Sequence, residues 1–153
     1  MKKVSNMKKT SFGYRFAMLH RLQGSMCRKQ ILQAGIQPSQ LPFLLELVQE
    51  NSAVTQGCLS RQIIIDKGTT ARAISQLEKA GFVTRVTNPE NRRQNLVSAT
   101  DKAFAVAGGL FAALDHAAEI LVQGFSIEER ITILNLMDRM IENAHKVLDK
   151  PLE

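Results

Sequence analysis

The sequence has few cysteines, no long apolar run and no motif of a membrane or secreted protein. Two cysteines, Cys27 and Cys58, are too few for a disulfide scaffold in 153 residues and fit a reducing compartment. No apolar run approaches the length of a membrane span, and the basic N-terminal segment lacks the apolar core of a signal peptide. We therefore expect a cytoplasmic protein of one domain without a membrane partner.

Motifs of enzymes and metal proteins are also missing. The chain has no nucleophile motif, no Gly-rich phosphate loop and no HExxH sequence, so we predict no catalytic residue and no cofactor. His116 and Glu119 are three residues apart, as are Glu142 and His145, and each pair could face one metal ion. Such pairs also arise by chance on amphipathic helices, and without a tight Cys/His cluster we predict no metal site.

Acidic residues are absent from the first 33 positions, which hold eight lysines and arginines. Residues 54–100 hold seven basic and three acidic residues, whereas residues 101–153 hold five basic and nine acidic ones. The net charge of +6 is therefore concentrated in the first two thirds of the chain. A basic face attracts a polyanion, although charge alone does not distinguish a binding face from a solvated surface.

Apolar spacing predicts four helices before residue 82. The first runs from about Ser11 to Gln33, and the second from an N-cap at Ser39 through Val48. The third has its N-cap at Thr55 and runs from Gln56 to about Ile64. The fourth begins at Asp66 or Lys67 and ends at a C-cap at Gly81. Alternating β-branched residues over 82–87, a polar turn at 88–93 and a second apolar run at 94–99 then predict a hairpin.

Two long helices are predicted after the hairpin. Thr100 is the expected N-cap of the first, and Ser126 with Glu129 forms a capping box at the start of the second. Both carry apolar residues on more than one narrow stripe, which is more than a small chain can cover by itself. An exposed apolar face of that size indicates an interface, and we predict a helical homodimer.

The two short helices and the basic hairpin predict a mainly α fold with a small β-hairpin wing, a winged helix-turn-helix. In that motif the second helix lies in the major groove of DNA. Thr70, Ile74 and Leu77 should form its buried face. The predicted DNA-facing side chains of this helix are Lys67, Thr69, Arg72, Ser75 and Gln76.

These side chains suit different contacts with double-stranded DNA. Arg72 can donate two hydrogen bonds to guanine, and Gln76 can pair with adenine in the same bidentate way. Thr69 and Thr55 suit phosphate or thymine-methyl contacts. At the tip of the wing, Arg92 and Arg93 can approach the phosphate backbone or a narrow minor groove.

The most specific part of the sequence is the run LEKAGFVTR, followed by NPENRR and LVSAT. Together with TQGCLS and KGTTARAISQ before it, this run resembles the MarR family of transcriptional regulators. The resemblance covers nearly the whole chain. It implies one MarR-like domain over 1–153, with dimerisation helices at 11–33 and 101–149 and a winged-helix DNA-binding lobe at 39–100.

The resemblance further implies a homodimer on a pseudo-palindromic operator, with half-sites about 10 bp apart. Family members usually repress transcription, and many release DNA when a small aromatic acid, a drug-like molecule or an oxidant binds. The chain departs from the family pattern at two positions. Asn91 replaces an Asp before the first wing arginine, and Ala99 replaces a Leu, and both changes predict a looser wing.

Several residues are candidates for sensing an effector. The family expectation of a pocket beside the dimer helices points to Tyr14, Phe16, His20 and Arg21.

The two cysteines are candidates for sensing an oxidant. Cys58 lies near a predicted helix N-terminus and Cys27 lies beside Arg28 and Lys29, settings that can lower a thiol pKa. Either cysteine can equally be a small core or surface residue.

The rival interpretation of the whole chain is a winged-helix protein-interaction scaffold, or a ligand sensor, that no longer binds DNA. Neither class has a physical need for outward cations at Arg72, Arg92 and Arg93 together.

Overall fold

The computed structural model describes residues 11–148 and confirms a mainly helical chain with a small antiparallel sheet. The elements in chain order are α1 (Phe12–Gln33), a 3-10 turn (Pro38–Gln40), α2 (Leu41–Glu50), β1 (Val54–Thr55), α3 (Gln56–Gln62), α4 (Lys67–Lys79), β2 (Val83–Thr87), β3 (Asn95–Ala99), α5 (Asp101–Leu121) and α6 (Ile127–Leu148). The basic N-terminal segment and the last residue of the predicted 101–149 range lie outside the described residues.

Local capping chemistry sets most helix boundaries as predicted. The Ser11 hydroxyl accepts from the backbone N–H of Tyr14 at 3.1 Å, and α2 ends at Asn51 in the left-handed conformation with φ of 48°. The predicted N-cap at Ser39 was wrong. Pro38 begins a 3-10 turn that contains Ser39, because the proline ring fixes φ at a helical value and needs no N–H partner there.

The sheet has three strands in the order β1-β3-β2, and not the two of a simple hairpin. Val83 pairs with Ala99 and Thr87 with Asn95 across the predicted hairpin. The added strand β1 pairs Val54 with Val97. Because β1 has only two residues, it carries no alternation that sequence reasoning could detect.

The described chain forms two compact units, one ending at Ala117 and one beginning at Ala118. In the first unit, helices and sheet share one apolar core. Its fully buried large side chains include Phe43, Leu44, Leu47, Leu59, Ile74, Leu77, Phe82 and Val97. This core fixes α3 and α4 against the sheet, and so holds the helix-turn-helix and the wing in one body.

Helix α5 is long and apolar enough, by length and composition alone, to cross a membrane, which the sequence analysis did not anticipate. Core helices of soluble proteins pass the same test. Ala103, Leu110 and Ala117 on this helix belong to the buried core cluster. With 17% of the apolar window buried, α5 packs on the core along one side, and much of its apolar surface is uncovered in the described chain.

In the second unit, no residue of α6 is buried, although the helix has 22 residues. The predicted capping box begins it: the Ser126 N–H donates to the Glu129 carboxylate at 2.8 Å, and the Glu129 N–H donates to the Ser126 hydroxyl at 3.2 Å. Large apolar side chains such as Ile131, Leu134 and Ile141 are more than half exposed. The helix therefore presents an apolar surface that this unit alone does not cover.

Candidate nucleic-acid interface

Helix α4 begins at a carboxylate cap. Asp66 accepts from the backbone N–H of Thr69 at 2.8 Å, and its own carbonyl accepts from the Thr70 hydroxyl at 2.9 Å. Hydrogen bonds from the backbone and the side chain of Thr69 lower the pKa of Asp66. An ionised cap also suits the positive end of the helix dipole. These bonds fix the first turn of α4, the helix predicted to lie in the major groove.

The predicted buried face of α4 is confirmed. Thr70, Ile74 and Leu77 are fully buried, and Ala73 joins them. Because buried residues occupy one side of the helix, the opposite side faces outward. Its exposed or half-exposed side chains are Lys67, Thr69, Arg72, Ser75 and Gln76.

Two of these side chains contact each other. The exposed Arg72 guanidinium donates to the Thr69 hydroxyl at 3.0 Å, one helical turn earlier. A guanidinium has five donors, so this bond leaves Arg72 able to pair with a base edge. The Thr69 bond holds the arginine close to the helix surface.

Gln76 has a partner that the sequence did not reveal. Its side-chain oxygen Oε1 accepts from Nε2 of Gln40 at 3.0 Å, and Gln40 is buried on the 3-10 turn. This bond occupies one lone pair of the Gln76 oxygen and leaves its second lone pair and its NH₂ group available. The contact between Gln76 and adenine stays a prediction.

The turn between α3 and α4 contains a residue in an unusual backbone conformation. Ile64 has φ of +54° and is 61% exposed. The Ser60 hydroxyl donates to the Ile65 carbonyl at 2.6 Å, and the Ile65 N–H donates to the Ser60 carbonyl at 3.1 Å. These reciprocal bonds close the turn around Ile64 and set the angle between the two helices.

Thr55 caps α3, as predicted, and lies at the base of the wing. Its hydroxyl accepts from the Cys58 N–H at 3.1 Å, which leaves the hydroxyl proton free to donate to a phosphate. Cys58 is half-buried and lines an open cleft of about 530 Å³ with Val54, Asn88 and Leu96. Its suggested role in oxidant sensing stays a prediction.

The loop of the wing is organised by two asparagines. Asn88 accepts from the Glu90 N–H at 3.0 Å, and Asn91 accepts from the Arg93 N–H at 3.2 Å. These Asx-type bonds shape the tip, while a looser wing than in the family remains a prediction. Arg92 and Arg93 are exposed, and neither guanidinium has a hydrogen bond or ion pair within residues 11–148.

The C-terminal end of α4 is held by residues that follow the sheet. Lys102 donates to the carbonyl of Ala80 at 2.6 Å, and its ammonium lies 4.3 Å from the centre of the Phe82 ring. The Thr100 hydroxyl donates to the carbonyl of Gly81 at 2.8 Å. Helix α5 begins directly after Thr100, as predicted, and the Thr100 carbonyl accepts from the N–H groups of Ala103 and Phe104 at 2.8 and 3.1 Å.

An ion pair joins the same helix to the wing. The guanidinium of Arg85 on β2 lies 2.6 Å from the carboxylate of Glu78 on α4. Both side chains are about one third exposed, so screening by solvent limits the strength of the pair. Its main effect is to fix Arg85 against the helix, which leaves the wing-tip arginines as the outward cations of the wing.

The predicted effector residues lie together on α1 but do not form an enclosed site in the described chain. Tyr14, Phe16, His20 and Arg21 are all exposed. None of them lines the cleft beside Cys58. The effector pocket therefore stays a prediction.

The environment of Cys27 is not the one that the oxidant-sensor hypothesis expected. It is buried, its thiol donates to the Ala113 carbonyl at 3.4 Å, and burial raises its pKa. A raised thiol pKa is the opposite of what the neighbouring cations were expected to cause. The structure favours the other interpretation, a core residue.

The metal-binding hypothesis gains no geometric support. Glu119 pairs with Arg130 at 2.8 Å, so its carboxylate is already engaged. Across residues 11–148, no three His, Cys, Asp or Glu side chains come close enough to hold a metal ion.

Comparisons with known proteins match this geometry. A family model described as the MarR family matches residues 37–94. The uncharacterized HTH-type transcriptional regulator YybA of Bacillus subtilis is 31% identical over 99 residues, which span 65% of this chain and 66% of that relative. A crystal structure of a MarR transcriptional regulator from Methanosarcina mazei Go1 is 34% identical, with a TM-score of 0.83 and coverage of 88% of this chain and 96% of that one.

A more distant structure supports the fold alone. A mutant of MarR from E. coli, complexed with operator DNA, is 18% identical with a TM-score of 0.77. The superposition covers 88% of this chain and 96% of that one.

Proposed function

We propose that this chain, which belongs to the MarR family of transcriptional regulators, is a cytoplasmic homodimeric repressor that binds a pseudo-palindromic operator. The observation that carries this proposal is the outward cation set. Lys67, Arg92 and Arg93 have no hydrogen-bond or ion-pair partner within residues 11–148. Unpaired cations on a helix and a neighbouring wing fit the phosphates of DNA, which would pair with them.

In the proposed complex, α4 lies in the major groove and reads base edges near its N-terminus. Arg72 supplies two parallel donors, the arrangement that matches the O6 and N7 atoms of guanine. The exposed ammonium of Lys67, at the start of the helix, suits a phosphate of the backbone. The wing arginines then bind the backbone or the minor groove beside the reading helix.

The uncovered apolar faces support the proposed homodimer. No residue of α6 is buried, and its exposed side chains include Ile127, Ile131 and Leu134. A single soluble chain rarely leaves so continuous an apolar surface in water. Light scattering should give twice the chain mass at micromolar concentration, and a clean monomer would contradict the dimer.

Repression is proposed to end when an effector binds. The chain offers two types of candidate, the exposed side chains on α1 and the half-buried thiol of Cys58 beside the wing. A small organic acid or drug-like molecule would act through the first and an oxidant through the second. Bound-DNA assays repeated with each class of effector would distinguish them.

The deciding experiment is selection of bound duplexes from a random pool. Wild type should enrich a two-fold-symmetric sequence with half-sites about 10 bp apart. Arg72→Ala should weaken binding to that site by about 1–3 kcal/mol and relax one base preference. Arg139→Ala, which removes an exposed arginine from α6, is the matched control and should leave base preference unchanged. Failure to enrich any sequence would favour the scaffold or DNA-independent sensor.

A further inference from the structure

A small cavity lies at the end of the sheet, where β1 stops short of the end of β3. Strand β1 pairs only with Leu96 and Val97, whereas β3 continues to Ala99. The cavity has a volume of about 210 Å³ and is lined by residues 51–53 on one side and 98–99 on the other, together with Leu47 and Phe104. All of these residues belong to the first compact unit.

The backbone N–H and C=O of Ala99 point to the β1 side of β3. Successive residues of a strand point these two groups to opposite sides, one neighbouring strand and then the other. The Thr100 N–H donates to the carbonyl of Phe82 at 3.0 Å, on the β2 side, so those of Ala99 face the other way. Val97, two residues earlier, faces the same way as Ala99 and pairs with Val54 of β1.

Neither of these two groups of Ala99 has a hydrogen-bond partner within residues 11–148. Continued pairing of β1 would place Ser52 opposite Ala99, but no bond joins the two residues. Because Ala99 is half-buried, an unpaired donor and acceptor there are a place where a ligand gains hydrogen bonds. The group that fits offers an acceptor and a donor along one edge, as the opposite residue of an antiparallel pair does. A primary amide has this arrangement.

The size and the lining of the cavity limit the rest of the ligand. Leu47 and Phe104 are the large apolar residues of the lining, and no lining residue carries a charge. An apolar cavity of about 150 Å³ holds benzene, whereas sites for drug-sized ligands have volumes of about 300–1,000 Å³. A volume of about 210 Å³ therefore fits one six-membered ring with a small substituent.

We infer that this cavity binds an uncharged single-ring compound that carries a carboxamide or a ring lactam. The amide pairs with the backbone of Ala99, and the ring lies beside Phe104. A carboxylate in the same place has no proton to donate to the Ala99 carbonyl and no cation in the lining to pair with. The site goes beyond the proposed function, since neither Cys58 nor the exposed side chains on α1 line it.

The test uses benzamide as the probe, titrated into isotope-labelled wild type without DNA while the backbone amide NMR signals are recorded. The Ala99 N–H signal should shift saturably, with a dissociation constant on the order of 1 mM for a ligand of this size. Toluene has neither a donor nor an acceptor, and benzoate has no donor. Each should bind at least about fivefold more weakly than benzamide, the factor that one hydrogen bond contributes.

A substitution in the wall of the cavity tests the location. Ala99→Leu places a larger side chain there and should remove the saturable binding of benzamide. Leucine is the residue of the family pattern at this position, which favours folding of the variant. Val86→Leu is the matched control, because Val86 is exposed on β2 and does not line the cavity, and it should bind benzamide like wild type. Phe104→Ala, which removes the ring from the lining, serves if Ala99→Leu does not fold.

Thermal unfolding shows whether each variant is folded. Absence of a saturable shift with benzamide would overturn the inference, as would binding that a folded Ala99→Leu leaves unchanged. Equal affinities for benzamide and toluene would refute the pairing with Ala99. Because the titration contains no DNA, its result is separate from the proposed function: a chain that enriches no duplex can still bind benzamide, and one that binds no benzamide can still bind its operator.

Discussion

The turn between α3 and α4 should be more stable with glycine than with alanine at position 64. Ile64 has φ of +54°, a conformation that places the Cβ of an L-residue close to the following carbonyl. Replacing it with glycine removes that clash, whereas alanine keeps the Cβ. Both variants lose the same exposed side chain beyond Cβ, so their difference isolates the backbone.

The magnitude follows from two opposing contributions. The left-handed conformation costs an L-residue about 1–2 kcal/mol. Glycine loses about 0.5–1 kcal/mol more conformational entropy on folding than alanine does. The net expectation is that Ile64→Gly has a free energy of unfolding about 1 kcal/mol larger than Ile64→Ala. For a chain of this size that difference corresponds to about 2–4 °C in Tm.

Comparison with wild type is less informative. Ile64 is 61% exposed, so truncating it removes only part of the stabilisation of a buried isoleucine, about 1 kcal/mol. That loss offsets the relief of strain, and Ile64→Gly should be close to wild type. Ile64→Asn should fall between the glycine and alanine variants, because asparagine adopts this conformation more readily than other L-residues.

The assay is urea or thermal unfolding followed by circular dichroism, at one protein concentration because dimerisation couples to folding. Gln49 is the matched control: it is exposed near the end of α2 and has ordinary helical geometry. There Gln49→Ala should be more stable than Gln49→Gly by about 0.5–1 kcal/mol, the reverse order. The same order at both positions would refute a left-handed residue in the turn.

Three further perturbations have defined outcomes. Arg92→Ala should weaken specific and non-specific DNA binding alike, and lower the salt slope of log K by about 1; an unchanged slope would exclude a phosphate contact. Lys102→Met should lower the free energy of unfolding by about 0.3–1 kcal/mol, because a cation at a helix C-terminus is lost. The salt slope of DNA binding should not change in Lys102→Met, and Lys102→Arg should keep the free energy of unfolding of wild type. The pKa of Asp66 is lowered from 3.8 in the folded chain, so the unfolded chain binds a proton at this carboxylate more readily. The free energy of unfolding should therefore fall as the pH drops below 3.8 toward the lowered pKa. Unfolding measured against pH should show a smaller decline in Asp66→Asn, and equal declines would contradict the cap.

Short-range chemistry explains what the sequence could predict. Ser11, Thr55 and the Ser126–Glu129 box each form bonds within three residues, so their patterns are visible without the fold. The buried face of α4 follows from helical spacing in the same way. The outward direction of Arg72 then follows because that spacing fixes the opposite face.

The features that the sequence could not predict depend on contacts between residues far apart in the chain. Gln40 and Gln76 are 36 positions apart, and Lys102 and Ala80 are 22 apart, so no local pattern connects either pair. Pro38 beginning a 3-10 turn carries a local signal, because proline is favoured at the first helical position. Sequence reasoning used that proline only as a helix breaker and placed the cap at Ser39, two residues after the observed cap Gln37.

Helix α4 is held by polar groups at its N-terminus, at its C-terminus and on one side. Asp66 binds the first turn, Lys102 binds the last carbonyls and Gln40 binds a side chain between them. Two of these three groups belong to neighbouring elements, the 3-10 turn and α5. The orientation of the proposed reading helix is therefore determined in part by residues that need not touch DNA. Because Lys102 and Thr100 hydrogen-bond the carbonyls of Ala80 and Gly81, a change in the position of the start of α5 would alter the bonds at the C-terminal end of α4.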